Sequence, residues 1–286
     1  MSRLNHVEPP QRSSRSQTSG RAPLVRVQRR RSSAWLCLDS PKNSNALSRA
    51  LLADLADALR EAGDDPSVRS VVVTAAGSVF CSGADLSERR AETTGEDGGA
   101  VAPSSPGSGL VEVLELVARS PKPVVAAING HVRAGGMGLV AACDLAIASN
   151  SASFAFSEVR VGVAPAIISV YAVRAMSRTA LQRYALTGEV FGPLEARRSG
   201  LVSEVVAPEV LEVRVDATTD AIALGSPGAI CATKKLLSEL AELGLNDGID
   251  RATSISDELF HSPDAREGIA AFLEKRSPAW VTTDES

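Results

Sequence analysis

Histidine and cysteine are both scarce. The 286-residue chain holds three His and four Cys, and Cys37, Cys81, Cys143 and Cys231 stand far apart in mostly apolar surroundings with no C-x-x-C pair. That spacing offers neither a zinc site nor a disulfide framework, so no metal is expected and the chain reads as reduced and intracellular. An excess of charge is missing too: 30 Lys and Arg stand against 34 Asp and Glu, a formal charge of -4. A mildly acidic surface attracts neither nucleic acid nor an anionic membrane. The longest apolar stretch, Val161 to Val173, is broken by Gly162 and Pro165 and falls short of the roughly 20 residues that span a bilayer. No internal repeat points to a solenoid. No Ser, His and Asp stand in a hydrolase pattern around His131, which reads as a structural histidine.

What is present is ordinary core material. A 44% hydrophobic content is enough for one large domain or a domain with an appendage. Residues 1–22, "MSRLNHVEPPQRSSRSQTSGRA", are rich in Arg and Ser and too poor in large apolar residues to stay ordered. Their first eleven residues lack an apolar helical stripe and include adjacent prolines, so a simple tail on a cytoplasmic protein is favoured over a mitochondrial presequence. Then "LVRVQR" and "SAWLCLD" alternate with period two and predict a hairpin. "SRALLADLADALREAG" predicts a helix capped by Ser48 and ending at Gly63. "VRSVVVT" and "VVAAI" read as buried strands, "LAIAS" and "ASFAF" as further strands, and "LVEVLELVARS" and "GGMGLVAAC" as helices. Between Ala91 and Gly109 a Gly, Ser and Pro run predicts a mobile loop, whether substrate-gating or merely unstructured. The alternation predicts an α/β core over residues 23–206. From residue 207 to 286 the pattern changes to consecutive helices, two of them opened by Ser-Pro.

"RAGGMGLVAACD" raises the sharpest question, because glycines at the mouth of an apolar helix weaken it by roughly 1 kcal/mol each. One answer is a dinucleotide site: Gly136-Met137-Gly138-Leu139-Val140-Ala141 satisfies G-x-G-x-x-A, and Glu158 lies twenty positions beyond Gly138, near the place of a ribose-binding acid. Against it, "NGHVRAG" separates the predicted strand from Gly136. A second answer is an oxyanion site, in which Gly135 and Gly136 let a ligand approach amides that have no intrahelical partner. The turn in "FCSGADL" offers a second donor, Ala84 N–H. A third answer is close packing alone.

At these residues the sequence resembles the crotonase superfamily, the enoyl-CoA hydratases and isomerases. The resemblance runs from about Leu24 to Trp280 through "SPKNSNALS", "FCSGADL", "SPKPVVAAINGHVRAGG", "ACDLAIAS", "SEVRVGVAP", "LTGEVFGPLEARRSGLVSEVV" and "EGIAAFLEKR". It implies an α/β fold, a ClpP/crotonase-like spiral of ββα units followed by helices that assemble homotrimers or homohexamers. It implies an acyl-CoA substrate, with coenzyme A arriving as part of that substrate and no separate cofactor. Ala84 and Gly135 take the places of the two amides that hold the thioester oxygen. Lys42, Ser44, Ser82, Asp85 and Leu86 fall where coenzyme A runs, and Gly136 and Gly138 beside the acyl group. Phe272 and Lys275 match a C-terminal aromatic and base that close over coenzyme A, in some members from a neighbouring subunit.

The pattern departs at one point. Typical hydratases of the family use two glutamates; Glu158 matches the second, and Gly138 stands where the first would be. A two-carboxylate mechanism therefore does not carry over. A lone base suits 3,2-isomerisation, while the local wording resembles members classed as hydratases, and hydration with Glu158 alone is the expected activity. A glycine at 138 also suggests a pocket enlarged near the α-carbon, fit for a branched acyl chain whose distal carboxylate, if present, would pair with Arg133. A scaffold that binds acyl-CoA without turning it over is a further alternative.

Overall fold

The computed structural model describes residues 21–88 and 107–281. The tail expected over residues 1–22 and the loop expected over residues 91–109 lie almost wholly outside them. The expected hairpin forms: β1 (Val25–Arg30) pairs antiparallel with β2 (Ser33–Leu38). Ser48 caps α1 (Arg49–Asp64) by accepting the Leu51 N–H at 3.2 Å. That helix buries Leu51, Leu52, Leu55, Ala58 and Leu59 along one stripe, as its spacing requires.

The chain then alternates between two sheets. β3 (Ser70–Ala75), β5 (Val124–Ile128), β7 (Leu145–Ser149) and β9 (Glu204–Val206) extend the hairpin into a six-stranded sheet of order β1-β2-β3-β5-β7-β9, parallel from β2 onward. Between these come β4 (Val79–Cys81), β6 (His131–Arg133) and β8 (Phe154–Ala155), which form a separate parallel sheet of order β4-β6-β8. After β4 comes α2 (Ser108–Ala118), after β6 comes α3 (Gly135–Ala142), and after β8 come α4 (Ala166–Ala175), α5 (Arg178–Thr187) and α6 (Pro193–Arg198). Repetition of strand, strand, helix winds the chain into a spiral.

Continuous apolar runs in β3 and β5 follow from burial on both faces. Val71, Val73, Val124 and Ala126 join the main core with α1 and α2. Val72, Val125 and Ala127 face the other way, against Trp35, Ile147, Leu211 and Val215, under α7 (Leu211–Ala223).

Beyond α7 run α8 (Pro227–Leu240), α9 (Leu245–Phe260) and α10 (Pro263–Glu274). Both Ser-Pro starts are real caps: Ser226 accepts the Ala229 N–H and Ser262 the Ala265 N–H. The helices are tied back to the core at two places. Lys234 of α8, 11% exposed, pairs with Asp144 at 2.8 Å and donates to the Val117 and Lys122 carbonyls. Arg69 donates to the Trp280 and Gly225 carbonyls, and the Trp280 indole donates to the Leu224 carbonyl. At the opposite margin, β1 and the turn after it carry a row of arginines matched to acids: Arg26 to Asp39, Arg29 to Asp65, Arg30 to Glu212 and Arg31 to Asp220.

Replacing Lys234 by Met keeps the stem of the side chain and removes the cation from Asp144, which retains the Val124 N–H, and one donor from each of two carbonyls. The expected loss is about 3 kcal/mol, seen as a lower urea midpoint with unchanged slope.

Candidate active site

Three parallel neighbours leave the small sheet at the same end, and each continues into a segment with chemical potential. β4 runs through Ser82 into the turn Gly83-Ala84-Asp85. β6 runs through Ala134 into Gly135 and Gly136. β8 runs to Glu158, three residues past its end. Parallel pairing of Cys81 with Val132 and of Arg133 with Ala155 sets these exits side by side.

The first two exits touch through their backbones. Gly83 has φ +92°, and a Cβ on it would stand 2.6 Å from Ala134 Cβ and 3.3 Å from Gly135 N. Only a residue without a side chain permits that approach. Ala134 itself is held at φ 46°, ψ −120°, a conformation that L-residues rarely adopt and that stores strain of order 1–3 kcal/mol. Its carbonyl accepts the Met137 N–H at 2.7 Å and its own N–H goes to Ala155, which leaves Gly135 to open α3. Gly83's carbonyl accepts the Leu47 N–H at 2.8 Å, a pairing in which Ala84's own amide takes no part. Among the described residues, neither the Ala84 nor the Gly135 N–H finds a main-chain acceptor. The would-be Cβ of Gly135 meets Leu47 Cδ1 at 2.8 Å and Leu110 Cδ2 at 3.6 Å, so apolar groups surround the two open amides.

Beneath them lies Cys81, fully buried. Its sulfur accepts the Gly83 N–H at 3.4 Å, and burial pushes its thiol up to about 12. At neutral pH it stays protonated, a packing group and not a nucleophile. Gly136 is the matching half of that packing: a Cβ there would stand 2.8 Å from Cys81 Cβ.

Glu158 opens a short 3-10 helix, Glu158–Val161. One of its carboxylate oxygens is buried without a hydrogen-bond partner among the described residues. Burial holds its carboxyl above the usual Glu range, with its own N–H pulling weakly the other way. A half-buried acid with an idle oxygen and a raised pKa is poised to exchange a proton.

The loop expected to meet coenzyme A is joined to the Ala84 turn. Ser82 N–H donates to the Ser44 carbonyl at 3.1 Å, and Asn43 Nδ2 to Asp85 Oδ2 at 3.4 Å. Asp85 is otherwise occupied: its second oxygen accepts from the Ser87 hydroxyl and from the Ser87 and Glu88 amides. The Ser87 hydroxyl foremost holds its carboxyl below the usual range. Lys42 is exposed on the 3-10 helix Pro41–Asn43, and Leu86 is 62% exposed. The residue that builds this loop is Asn45, which the motif reading passed over. It is fully buried at φ 52°, accepts the Ser40 N–H and donates to the Ala76 and Val79 carbonyls. In the sequence nothing separates it from Asn43 two places earlier.

Two expectations need correction. The room directly beside Gly138 is filled: a Cβ there would stand 2.8 Å from Ile168 Cβ, so the missing side chain leaves no void at that position. Arg133 is not free for a distal carboxylate, since its guanidinium donates to the Val132 and Ser153 carbonyls and to Ser153 Oγ. His131 does lie against a serine, Ser153 Oγ at 2.9 Å from Nδ1; no carboxylate orients the exposed ring among the described residues, so the triad logic still fails. Phe272 and Lys275 lie at the C-terminal end of α10. Phe272 is 83% exposed, and Lys275 ends α10 in a left-handed conformation at φ 54°.

The dinucleotide reading falls as well, though not for the reason expected. A strand, β6, does run almost directly into the glycines; it belongs to the small sheet, and Cys81 and Ile168 fill the space a pyrophosphate would need. Among the described residues no cluster of His, Cys, Asp or Glu could hold a metal ion, and no helix is long and apolar enough to cross a membrane.

A double-sheet spiral of strand, strand and helix, closed by C-terminal helices, defines a protein of the crotonase fold. The chain belongs to the enoyl-CoA hydratase/isomerase family, whose model matches residues 29–283. It is similar to an enoyl-CoA hydratase of Mycobacterium smegmatis of known crystal structure, with TM-score 0.81 and 34% identity over 91% of this chain and 100% of that one. It is 34% identical over 251 residues to carnitinyl-CoA dehydratase of Proteus mirabilis, covering 86% of this chain and 93% of the relative. With (E)-benzylidenesuccinyl-CoA hydratase of Thauera aromatica it shares 32% over 255 residues, 86% of this chain and 94% of the relative.

Because Gly83 combines a positive φ with a backbone contact, Gly83→Ala is expected to destabilise the fold by on the order of 3 kcal/mol. Thermal unfolding measures the effect.

Proposed function

We propose that this chain is an enoyl-CoA hydratase in which Glu158 is the single acid–base residue and the Ala84 and Gly135 amides bind the thioester oxygen. The observation that carries this reading is the idle, buried oxygen of Glu158 at the end of β8, next to the exits that bear two unpaired amides. The Glu158 carboxylate takes a proton from water as the water oxygen bonds to C3 of a 2-enoyl thioester. Electrons move through C2 onto the thioester oxygen, where two fixed N–H donors at the start of α3 and after β4 stabilise the enolate. The protonated Glu158 then returns the proton to C2, and a 3-hydroxyacyl thioester results. The names of the relatives, a hydratase and a dehydratase acting on CoA esters, support addition or removal of water.

The missing second carboxylate favours one other reading, 3,2-isomerisation, in which Glu158 moves a proton from C2 of a 3-enoyl thioester to C4. The two differ in product mass. 2-Enoyl-CoA is expected to give the hydrated product and the matched 3-enoyl-CoA to stay unchanged; a shifted double bond at unchanged mass would replace hydratase by isomerase.

In this reading coenzyme A lies along Lys42, Ser44, Ser82, Asp85 and Leu86, and Phe272 and Lys275 close over it from a neighbouring copy. Exposed apolar side chains on the C-terminal helices, among them Leu245 at 81%, Phe260 at 69% and Leu273 at 74%, suit assembly into a homotrimer or a pair of trimers. Sedimentation is expected to report one of those masses, and a monomer would leave Phe272 without a role. A reduced cytoplasm suits the four free cysteines.

Glu158→Gln is expected to fold and to lose roughly 10²–10⁴-fold in kcat. In the parent enzyme kcat/KM rises with pH through one ionisation lying above the ordinary Glu value of about 4.3. Stability runs the opposite way. A raised folded-state pKa means that the folded chain favours the protonated acid, so stability falls as pH climbs from the unfolded pKa through the folded one. Glu158→Gln is therefore expected to be the more stable protein at neutral pH, with that advantage fading below pH ~4; thermal unfolding at a series of pH values measures it.

A further inference from the structure

Glycine at 138 is expensive for α3, which already opens with two glycines in its eight residues. A mid-helix glycine weakens a helix relative to alanine, so some contact must require the missing Cβ. That contact is with Ile168, on the first turn of α4 and 2% exposed. A Cβ on residue 138 would stand 2.8 Å from Ile168 Cβ and 3.4 Å from its Cα, too close for both positions to carry side chains. Ile168 follows Glu158 by ten residues on the same excursion of the chain, so the base and the group that fills the opposite slot arrive together.

We infer that Ile168 is a positioning residue that commits this site to one acid–base group, by occupying the volume a carboxylate at residue 138 would use and by lining that wall with methyl groups. The inference rests on the role proposed for Glu158. A side chain pushed into that space would first meet the Ile168 side chain, and a carboxylate set against those apolar atoms is penalised heavily by burial. Gly138 and Ile168 therefore form an interlocking pair, and neither changes alone without loss. With the Gly138 side closed and apolar, every proton that moves in the reaction passes through Glu158.

The interlock is read in a cycle of Gly138→Ala, Ile168→Gly and the double variant, with thermal unfolding as the first readout. In an ordinary helix Gly→Ala raises stability; here Gly138→Ala is expected to lower Tm by roughly 3–8 °C, and the same change made in the Ile168→Gly background is expected to raise it. Absence of that reversal of sign overturns the inference whatever the enzyme's activity. The second readout separates positioning from packing: the Gly138→Glu, Ile168→Gly double variant is expected to show a second ionisation in its kcat/KM profile on 2-enoyl-CoA, where the parent shows one. A double variant that folds and keeps a one-ionisation profile also overturns it. Failure of the parent to turn over any enoyl-CoA sinks the Glu158 role and the positioning claim with it, while the Tm cycle still reports the interlock.

Discussion

The candidate site depends on the contact between the backbones at Gly83 and at Ala134–Gly135. The two turns come together because nothing separates them: one has no side chain at Gly83, and the other holds Ala134 at positive φ. The strain is confined to Ala134, where the β8 carbonyl of Ala155 and the first turn of α3 hold the residue from both sides. Apolar neighbours, Leu47 and Leu110, add a low-dielectric surround in which a developing negative charge draws most from two N–H groups.

The two sheets divide the work. The six-stranded sheet, buried on both faces at β3 and β5, supplies the core and fixes the pitch of the spiral. The small sheet adds Phe80, Cys81, Val132 and Phe154 to that core, and its parallel pairing aligns three strand ends. Glu158 shows the tension in the arrangement. Its idle oxygen and raised pKa weaken the folded state at neutral pH, and the same properties make it fit for proton transfer, so the fold sustains at the site a group that packing alone would reject.

Sequence patterning revealed the large elements and little of what aims the site. The stripe in α1, the Ser48, Ser226 and Ser262 caps and the apolar runs of β3 and β5 are long or chemically explicit, and each was legible. β4, β6 and β9 were not: they are three residues long, too short for any periodicity to register, and two of them carry the candidate amides. Asn45 is invisible because its value lies in bonding the Ser40 amide of its own loop to the Ala76 and Val79 carbonyls, distant in sequence. Gly138 reads in the sequence as a departure, but the group that fills the space beside it, Ile168, sits thirty residues later in α4 behind a proline. The motif series identified the family, and only the packing revealed which pocket wall the departure had changed.

One feature at the far margin bears on how copies of this chain meet. β1 is a free edge of the large sheet, six residues long, and an unpaired edge of that length is a template for strand addition between molecules. Its arginines, together with Arg31 in the turn, are drawn into a fringe of ion pairs with Asp39, Asp65, Glu212 and Asp220. A second edge could bond there only by dismantling that fringe and setting cation against cation. The other edge, β9, is three residues long. Charged side chains along β1 and the shortness of β9 thus both disfavour edge-to-edge growth of the sheet.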